Sequence, residues 1–319
     1  MEGRPIRHVV SARQFKDPEQ MLALFERAQW MKEMLASPQG RRGLRTTFAG
    51  ETAVVLFWEP STRTRTSFEL AAKHLGMSVT STENAAQFSS TIKGETLPDT
   101  IRVMSGYHPS VVVMRHTQSG SAQIAADCST VPIINAGDGS GEHPSQALLD
   151  LFTIQQELGR LENLRVAVVG DLRYGRTVRS LMYLLTRFPN IHFTCIAPQL
   201  LSIEPELIDY CRRHGATVVE TEDFVHGISN VDVIYMTRIQ KERLPDPTIH
   251  EETRGRYAVT ARTMRELGTP AIIMHPLPRN EEIAPEVDAD PRAAYFRQAE
   301  NGLYVRMALL EWVLDGTPK

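Results

Sequence analysis

The sequence predicts an α/β protein made of two doubly wound parallel-sheet domains. Three features predict it. Short, nearly continuous apolar runs alternate with amphipathic stretches along the chain, as strands do when crossover helices bury both faces of their sheet. A length of 319 residues is too great for one comfortable core and suits two domains. A helical pattern over 145–158 falls where it would join them.

In the first half, strands are expected at 52–57, 110–114 and 132–135, with helical patterns at 63–75 and 97–107. The second half repeats the alternation, with strands at 165–170, 192–197, 217–220, 231–236 and 271–275. Helical patterns lie between these at 176–188, 204–214 and 264–267. A closing pattern, 303–314, is apolar at helical spacing and long enough to return to the first domain. The expected division is therefore 1–143 with 300–319, and 144–299. Residues 85–96 read as a polar loop without regular structure, long enough to act as a lid that orders on binding.

Composition narrows the function classes. With 42% hydrophobic and 23% charged residues, this is the make-up of a soluble globular protein. A net charge of −3 argues against general nucleic-acid binding, while leaving room for a local cationic site. Cys128, Cys195 and Cys211 are far apart and lack paired metal spacing, so free thiols in a reducing compartment are expected. The opening Met1-Glu2-Gly3-Arg4-Pro5 has no apolar signal-like stretch, and no apolar run approaches the roughly 18 residues of a membrane span. The expected setting is cytoplasmic.

The strand ends carry the chemistry. After the apolar run 54–57 comes Pro60-Ser61-Thr62-Arg63-Thr64-Arg65, which opens a helix. The free N–H groups and dipole of a first turn form an anion site, and here hydroxyls and guanidinium forks are added to it. Neither Gly-rich phosphate loop is present, so the turn suits a small phosphate compound rather than a nucleotide. Arg115 and His116 follow the next strand. His143 and Gln146 stand three residues apart after the flexible Gly137-Asp138-Gly139-Ser140-Gly141, where an imidazole N–H can meet a developing oxyanion and an amide can read a neighbouring polar group.

The turn Gly170-Asp171-Leu172-Arg173-Tyr174-Gly175-Arg176 lacks dinucleotide spacing, and no acidic residue ends the following strand to hold a ribose. Arg176 and Arg238, at the ends of neighbouring strands, could instead clamp two carboxylates of one substrate. Open alternatives are surface salt bridging for these arginines, an ordinary capped helix at Ser61, and a solvated lysine at Lys93.

Taken in order, Pro60-Ser61-Thr62-Arg63-Thr64-Arg65, Lys93-Gly94-Glu95-Thr96, Met114-Arg115-His116, Asn135-Ala136-Gly137-Asp138-Gly139, His143-Pro144-Ser145-Gln146, the 170–177 turn, Tyr235-Met236-Thr237-Arg238 and His275-Pro276-Leu277-Pro278-Arg279 closely resemble the carbamoyltransferases, on their aspartate-using branch. The resemblance spans nearly the whole chain. It implies carbamoyl transfer from carbamoyl phosphate to L-aspartate in pyrimidine biosynthesis, with no cofactor or metal. It also implies a carbamoyl phosphate-binding domain (1–143, 300–319) and an aspartate-binding domain (144–299).

Carried over by position, Ser61, Thr62, Arg63 and Thr64 would hold the phosphate. Arg115 would bridge phosphate and carbonyl oxygen, and His143 with Thr64 would polarise that oxygen. Gln146 and the carbonyls of Leu277 and Pro278 would place the carbamoyl nitrogen, while Arg176, Arg238 and Gln240 would bind aspartate. Ser89, or its neighbour Ser90, and Lys93 would enter from an adjoining subunit, making a homotrimer the smallest active unit. A separate regulatory chain and other pyrimidine enzymes are open as partners. Two other readings are an ornithine-type carbamoyltransferase, which the Arg176/Arg238 pair disfavours on charge, and a non-catalytic paralogue serving as an assembly subunit.

Overall fold

The computed structural model describes residues 6–85, 94–239 and 255–315. Two compact units emerge, Met1–Leu148 with Gly302–Lys319, and Leu149–Asn301.

The first unit holds a four-stranded parallel sheet of β1 (Thr52–Phe57), β2 (Ser78–Glu83), β3 (Val111–His116) and β4 (Ile133–Asp138), ordered β2-β1-β3-β4. Its helices are α1 (Pro18–Ala36), α2 (Pro38–Leu44), α3 (Thr62–His74), α4 (Leu97–Gly106) and α5 (Ser121–Cys128). Val54, Leu56, Val112 and Met114 pack with Ile101 of α4 and Ala122 of α5, which explains the apolar runs of β1 and β3. Val9 bridges to Ile134 beyond β4, its N–H 2.8 Å from the Ile133 oxygen, so the N-terminal segment covers that sheet edge.

The second unit holds β5 (Arg165–Val169), β6 (His192–Ile196), β7 (Thr217–Thr221), β8 (Val233–Met236) and β9 (Ile272–Met274), all parallel and ordered β7-β6-β5-β8-β9. In chain order, α6 (Pro144–Leu158) runs from the first unit into the second. The helices of the second unit are α7 (Arg176–Leu185), α8 (Pro205–Arg213), α9 (Phe224–Gly227) and α10 (Ala261–Glu266). The last helix, α11 (Tyr295–Asp315), starts in the second unit and ends in the first. Two doubly wound sheets with a joining helix and a returning C-terminal helix are the architecture that the sequence predicts.

Among the described residues, β2, α1, α2, α5 and the one-turn α9 lack a counterpart in the apolar pattern. β2 reads Ser-Val-Thr-Ser-Thr-Glu and lies at a sheet edge, exposed or half-exposed along its length, so no apolar run marks it. The helices α1 and α2 open on Asp17-Pro18 and Ser37-Pro38, a cap followed by proline, which is a start signal independent of periodicity. A Cβ on Gly40 would stand 2.1 Å from the Met34 oxygen, so only glycine lets α2 fold back against the end of α1. The short α5 follows Gly120 in the left-handed conformation.

The strand order locates both switch points. In the first sheet the winding reverses between β1 and β3, where Phe57 pairs with Arg115. In the second it reverses between β5 and β8, where Val169 pairs with Met236. Crevices beyond the carboxyl ends of such strand pairs are where ligands bind in open α/β sheets.

Candidate active site

At the first switch point, β1 ends and Ser61 takes the N-cap position of α3 with an extended backbone. Its hydroxyl makes no capping bond, and no acidic residue stands in the first turn to offset the positive end of the helix. Thr64 is buried within that turn, while Thr62 and Arg63 open to solvent. Partial burial of the Arg63 guanidinium lowers its pKa, and the nearby charge of Arg115 lowers it further. Two guanidinium groups close enough to act on one another in this way suit a site that takes an anion.

Arg65 faces elsewhere. Its Nη1 lies 2.6 Å from Glu69 Oε1 and its Nη2 3.1 Å from Glu83 Oε2, so it ties α3 to β2. The turn at the start of α3 therefore has one guanidinium fewer for an anion than its sequence suggests.

Arg115, next to last in β3, is almost wholly buried, with Nη2 2.6 Å from Glu59 Oε1 and Nη1 3.3 Å from the Ala136 oxygen. Glu59, two residues beyond β1, is a partner of Arg115 that sequence patterning missed; the Phe57–Arg115 register is the signal that brings them together. His116 is committed locally, its Nδ1 accepting the Gln118 N–H at 3.1 Å.

His143 and Gln146 are buried at the start of α6, and the His143 carbonyl accepts the Gln146 N–H at 3.0 Å. His143 Nδ1 stands 3.4 Å from Ser145 Oγ. The preceding loop is fixed by Asp138, whose carboxylate accepts the N–H groups of Gly120 and Glu142, each at 2.7 Å. Gly139 has φ +51, and a Cβ there would stand 2.4 Å from the Thr117 oxygen, so this glycine is needed for close packing. Glu142, beside His143, accepts the Ser11 hydroxyl at 2.9 Å and the Ala12 N–H at 2.6 Å.

At the second switch point, Arg176 is the first residue of α7 and is buried, again with no acidic residue in the first turn. Thr237 pins the turn before it: the hydroxyl donates to the Val169 oxygen at 2.8 Å and accepts the Asp171 N–H at 3.0 Å. Asp171 Oδ1 accepts the Tyr174 N–H at 2.9 Å. Gly170 has φ +111, and a Cβ would stand 2.4 Å from the Thr237 oxygen, so β5 and β8 can approach only with glycine there.

Arg238 follows Thr237, half-buried, and acts electrostatically on His275 at the end of β9. The segment 275–279 turns sharply: Leu277 has φ +50 and its bond to Pro278 is cis. Arg279 is occupied by Asp288, with its Nη2 2.6 Å from Asp288 Oδ2, and its Nη1 donates to the Tyr295 hydroxyl at 2.9 Å.

The sequence-predicted residues thus gather at the two switch points. Ser61, Thr62, Arg63, Thr64 and Arg115 belong to the first, with His143 and Gln146 following the neighbouring β4 in the same sheet. Arg176, Arg238, Leu277 and Pro278 follow β5, β8 and β9 in the second. Ser89, Ser90, Lys93 and Gln240 lie outside the described residues. Among the described residues, no helix is long and apolar enough to cross a membrane.

Residues 7–156 match the family model described as "Aspartate/ornithine carbamoyltransferase, carbamoyl-P binding domain", and residues 162–313 match "Aspartate/ornithine carbamoyltransferase, Asp/Orn binding domain". The chain is 47% identical over 309 residues to "Aspartate carbamoyltransferase 1, chloroplastic" of Pisum sativum, covering 97% of this chain and 78% of that one. It is 44% identical to the "Aspartate carbamoyltransferase catalytic subunit" of Methanocella arvoryzae, covering 97% of each. Among solved structures, the catalytic subunit of Methanocaldococcus jannaschii aspartate transcarbamoylase aligns with a TM-score of 0.88 at 41% identity, covering 97% of this chain and 98% of that one. The Trypanosoma cruzi aspartate transcarbamoylase bound to N-(phosphonacetyl)-L-aspartic acid aligns with a TM-score of 0.89 at 37% identity, covering 97% and 95%. Matched by the two domain models in succession over 7–156 and 162–313, the chain belongs to the aspartate/ornithine carbamoyltransferase family.

Proposed function

We propose that this chain transfers the carbamoyl group of carbamoyl phosphate to the amino group of L-aspartate, giving N-carbamoyl-L-aspartate and phosphate for de novo pyrimidine biosynthesis. The observation that carries this reading is the placement of residues 61–64 and Arg115 at the ends of β1 and β3 at one switch point, where the Arg115 charge acts on Arg63, and of Arg176 and Arg238 beyond β5 and β8 at the other. The first set suits a phosphate and the second a dicarboxylate.

In this reading the first unit is the carbamoyl phosphate-binding domain and the second the aspartate-binding domain. Ser61, Thr62, Arg63 and Thr64 hold the phosphate against the start of α3, and Arg115 spans phosphate and carbonyl oxygen. As the amine attacks, a C–N bond forms and charge gathers on the carbonyl oxygen, where Thr64, Arg115 and His143 stabilise it. The C–O bond to phosphate then breaks, and the departing phosphate takes the amine proton. Gln146 and the carbonyls of Leu277 and Pro278 orient the carbamoyl nitrogen. Arg176, Arg238 and Gln240 hold the aspartate carboxylates, so binding energy supplies orientation without a covalent intermediate.

Ser89 and Lys93 complete the site from a neighbouring subunit of a homotrimer. A cytoplasmic setting belongs to the same reading, supported by cysteines that are free thiols, with Cys195 and Cys211 buried.

The test is product formation from 13C-labelled carbamoyl phosphate with aspartate against ornithine. Labelled N-carbamoyl-aspartate and stoichiometric phosphate are expected. Citrulline as the main product would establish the ornithine-type reading, and neither product would establish a non-catalytic subunit.

A further inference from the structure

A buried chain of hydrogen bonds in the second unit ends at the turn carrying Leu277 and Pro278. Tyr235 is fully buried and donates its hydroxyl to Asp150 Oδ2 at 2.7 Å. Asp150 Oδ1 accepts from Gln298 Nε2 at 2.7 Å, which turns Gln298 Oε1 towards the His275 N–H at 2.8 Å. His275 then uses both ring nitrogens: Nδ1 lies 2.7 Å from the Leu277 nitrogen and Nε2 2.8 Å from Glu282 Oε1. The same Glu282 oxygen accepts the Asn280 N–H at 3.1 Å, so one imidazole and one carboxylate close the turn between residues 275 and 282.

The polarity of this chain is determined at each link. A backbone N–H only donates, so His275 Nδ1 must accept and carry no proton. The single proton of the neutral ring is then on Nε2, pointed at a carboxylate. A protonated ring would instead set one N–H against another. The surroundings agree: burial pushes the His275 pKa down, the Glu282 bond opposes this, and the charges of Arg238 and Arg279 reinforce it. The bond from His275 also holds Leu277 at φ +50, a left-handed conformation that a leucine does not adopt unaided. At the other end of the chain, the Thr177 side chain hydrogen-bonds the Tyr235 hydroxyl, next to Arg176.

We propose that His275 is a positioning residue for carbamoyl transfer: a neutral imidazole protonated on Nε2 that sets the Leu277–Pro278 turn so that its carbonyls meet the carbamoyl nitrogen. This rests on the reading that those carbonyls contact substrate. His275 itself touches no reacting atom in this account.

Two measurements on the full-length protein separate the parts. In 15N-histidine-labelled protein, long-range 1H–15N spectra at neutral pH should show His275 as the Nε2-protonated tautomer, identified by its loss in the variants; an Nδ1-protonated or charged ring overturns the proposal without reference to activity. In kinetics, His275→Leu should lower kcat about a hundredfold, the scale of a displaced orienting group, with a smaller change in KM for aspartate. His275→Asn keeps an acceptor two residues before the Leu277 N–H, the geometry of an Asx turn, and should recover most of that loss. A parent-like His275→Leu, or Asn and Leu variants equally impaired at equal thermal stability, defeats the positioning role. A parent that carbamoylates nothing defeats the reading of the site beneath it.

Discussion

Arg115 holds the Glu59 carboxylate at 2.6 Å with one guanidinium nitrogen and reaches the Ala136 carbonyl at 3.3 Å with another, so its fork is aimed by two different strand ends. A planar fork does this and an ammonium cannot. Arg115→Lys should therefore keep the charge yet lose at least about tenfold in kcat, and Arg115→Met about 10²–10³-fold, when phosphate release is measured. Parent-like turnover of the lysine variant would mean that charge alone is needed at this position.

His143 is buried at the start of α6 behind a loop braced by Asp138. If its imidazole acts on the carbonyl oxygen mainly in the transition state, His143→Ala should lower kcat by about 10²–10³ with little change in KM for either substrate. Unchanged turnover would leave His143 a structural role alone.

Arg238 follows β8, the strand paired with β5 at the second switch point. Arg238→Ala removes a charge-assisted partner worth about 1.5–3 kcal/mol, so KM for aspartate should rise about 10- to 100-fold. Carbamoyl phosphate binding, assigned to residues of the first unit, should barely move in titration calorimetry. Equal weakening of both substrates would remove Arg238 from the aspartate clamp.

How much of this was legible in the sequence follows from where burial writes its mark. The runs at β1, β3 and β5 are buried on both faces and read plainly, and so do the cationic residues at their ends. The polar edge strand β2 leaves no such mark. Arg63 and Arg65 read alike in sequence, yet two residues apart on a helix they point to different faces: the Arg115 charge acts on Arg63, while Arg65 pairs with Glu69 and Glu83. The roles of Glu59, Thr237 and Gln298 depend on strand register and on contacts distant in the chain, which no local pattern carries.

The proposal that Lys93 enters from a neighbouring subunit has its own test. Arg63→Ala and Lys93→Ala chains should each assemble into nearly inactive homotrimers. Mixed one to one, dissociated and reassembled, about three quarters of trimers contain both chains, each with one intact site in three, so about a quarter of parent activity should return. No recovery, with trimers confirmed by sizing, would place both residues in the site of a single chain.

The proposed function requires a phosphate held through Arg63 and Arg115 and a dicarboxylate held through Arg176 and Arg238 to be bound at the same time. Titration calorimetry with N-(phosphonacetyl)-L-aspartate, against phosphate and L-aspartate alone, tests it most directly. Joining both groups in one molecule should tighten binding at least about a hundredfold over either fragment, with one molecule bound per chain. Binding no tighter than that of phosphate alone would contradict it.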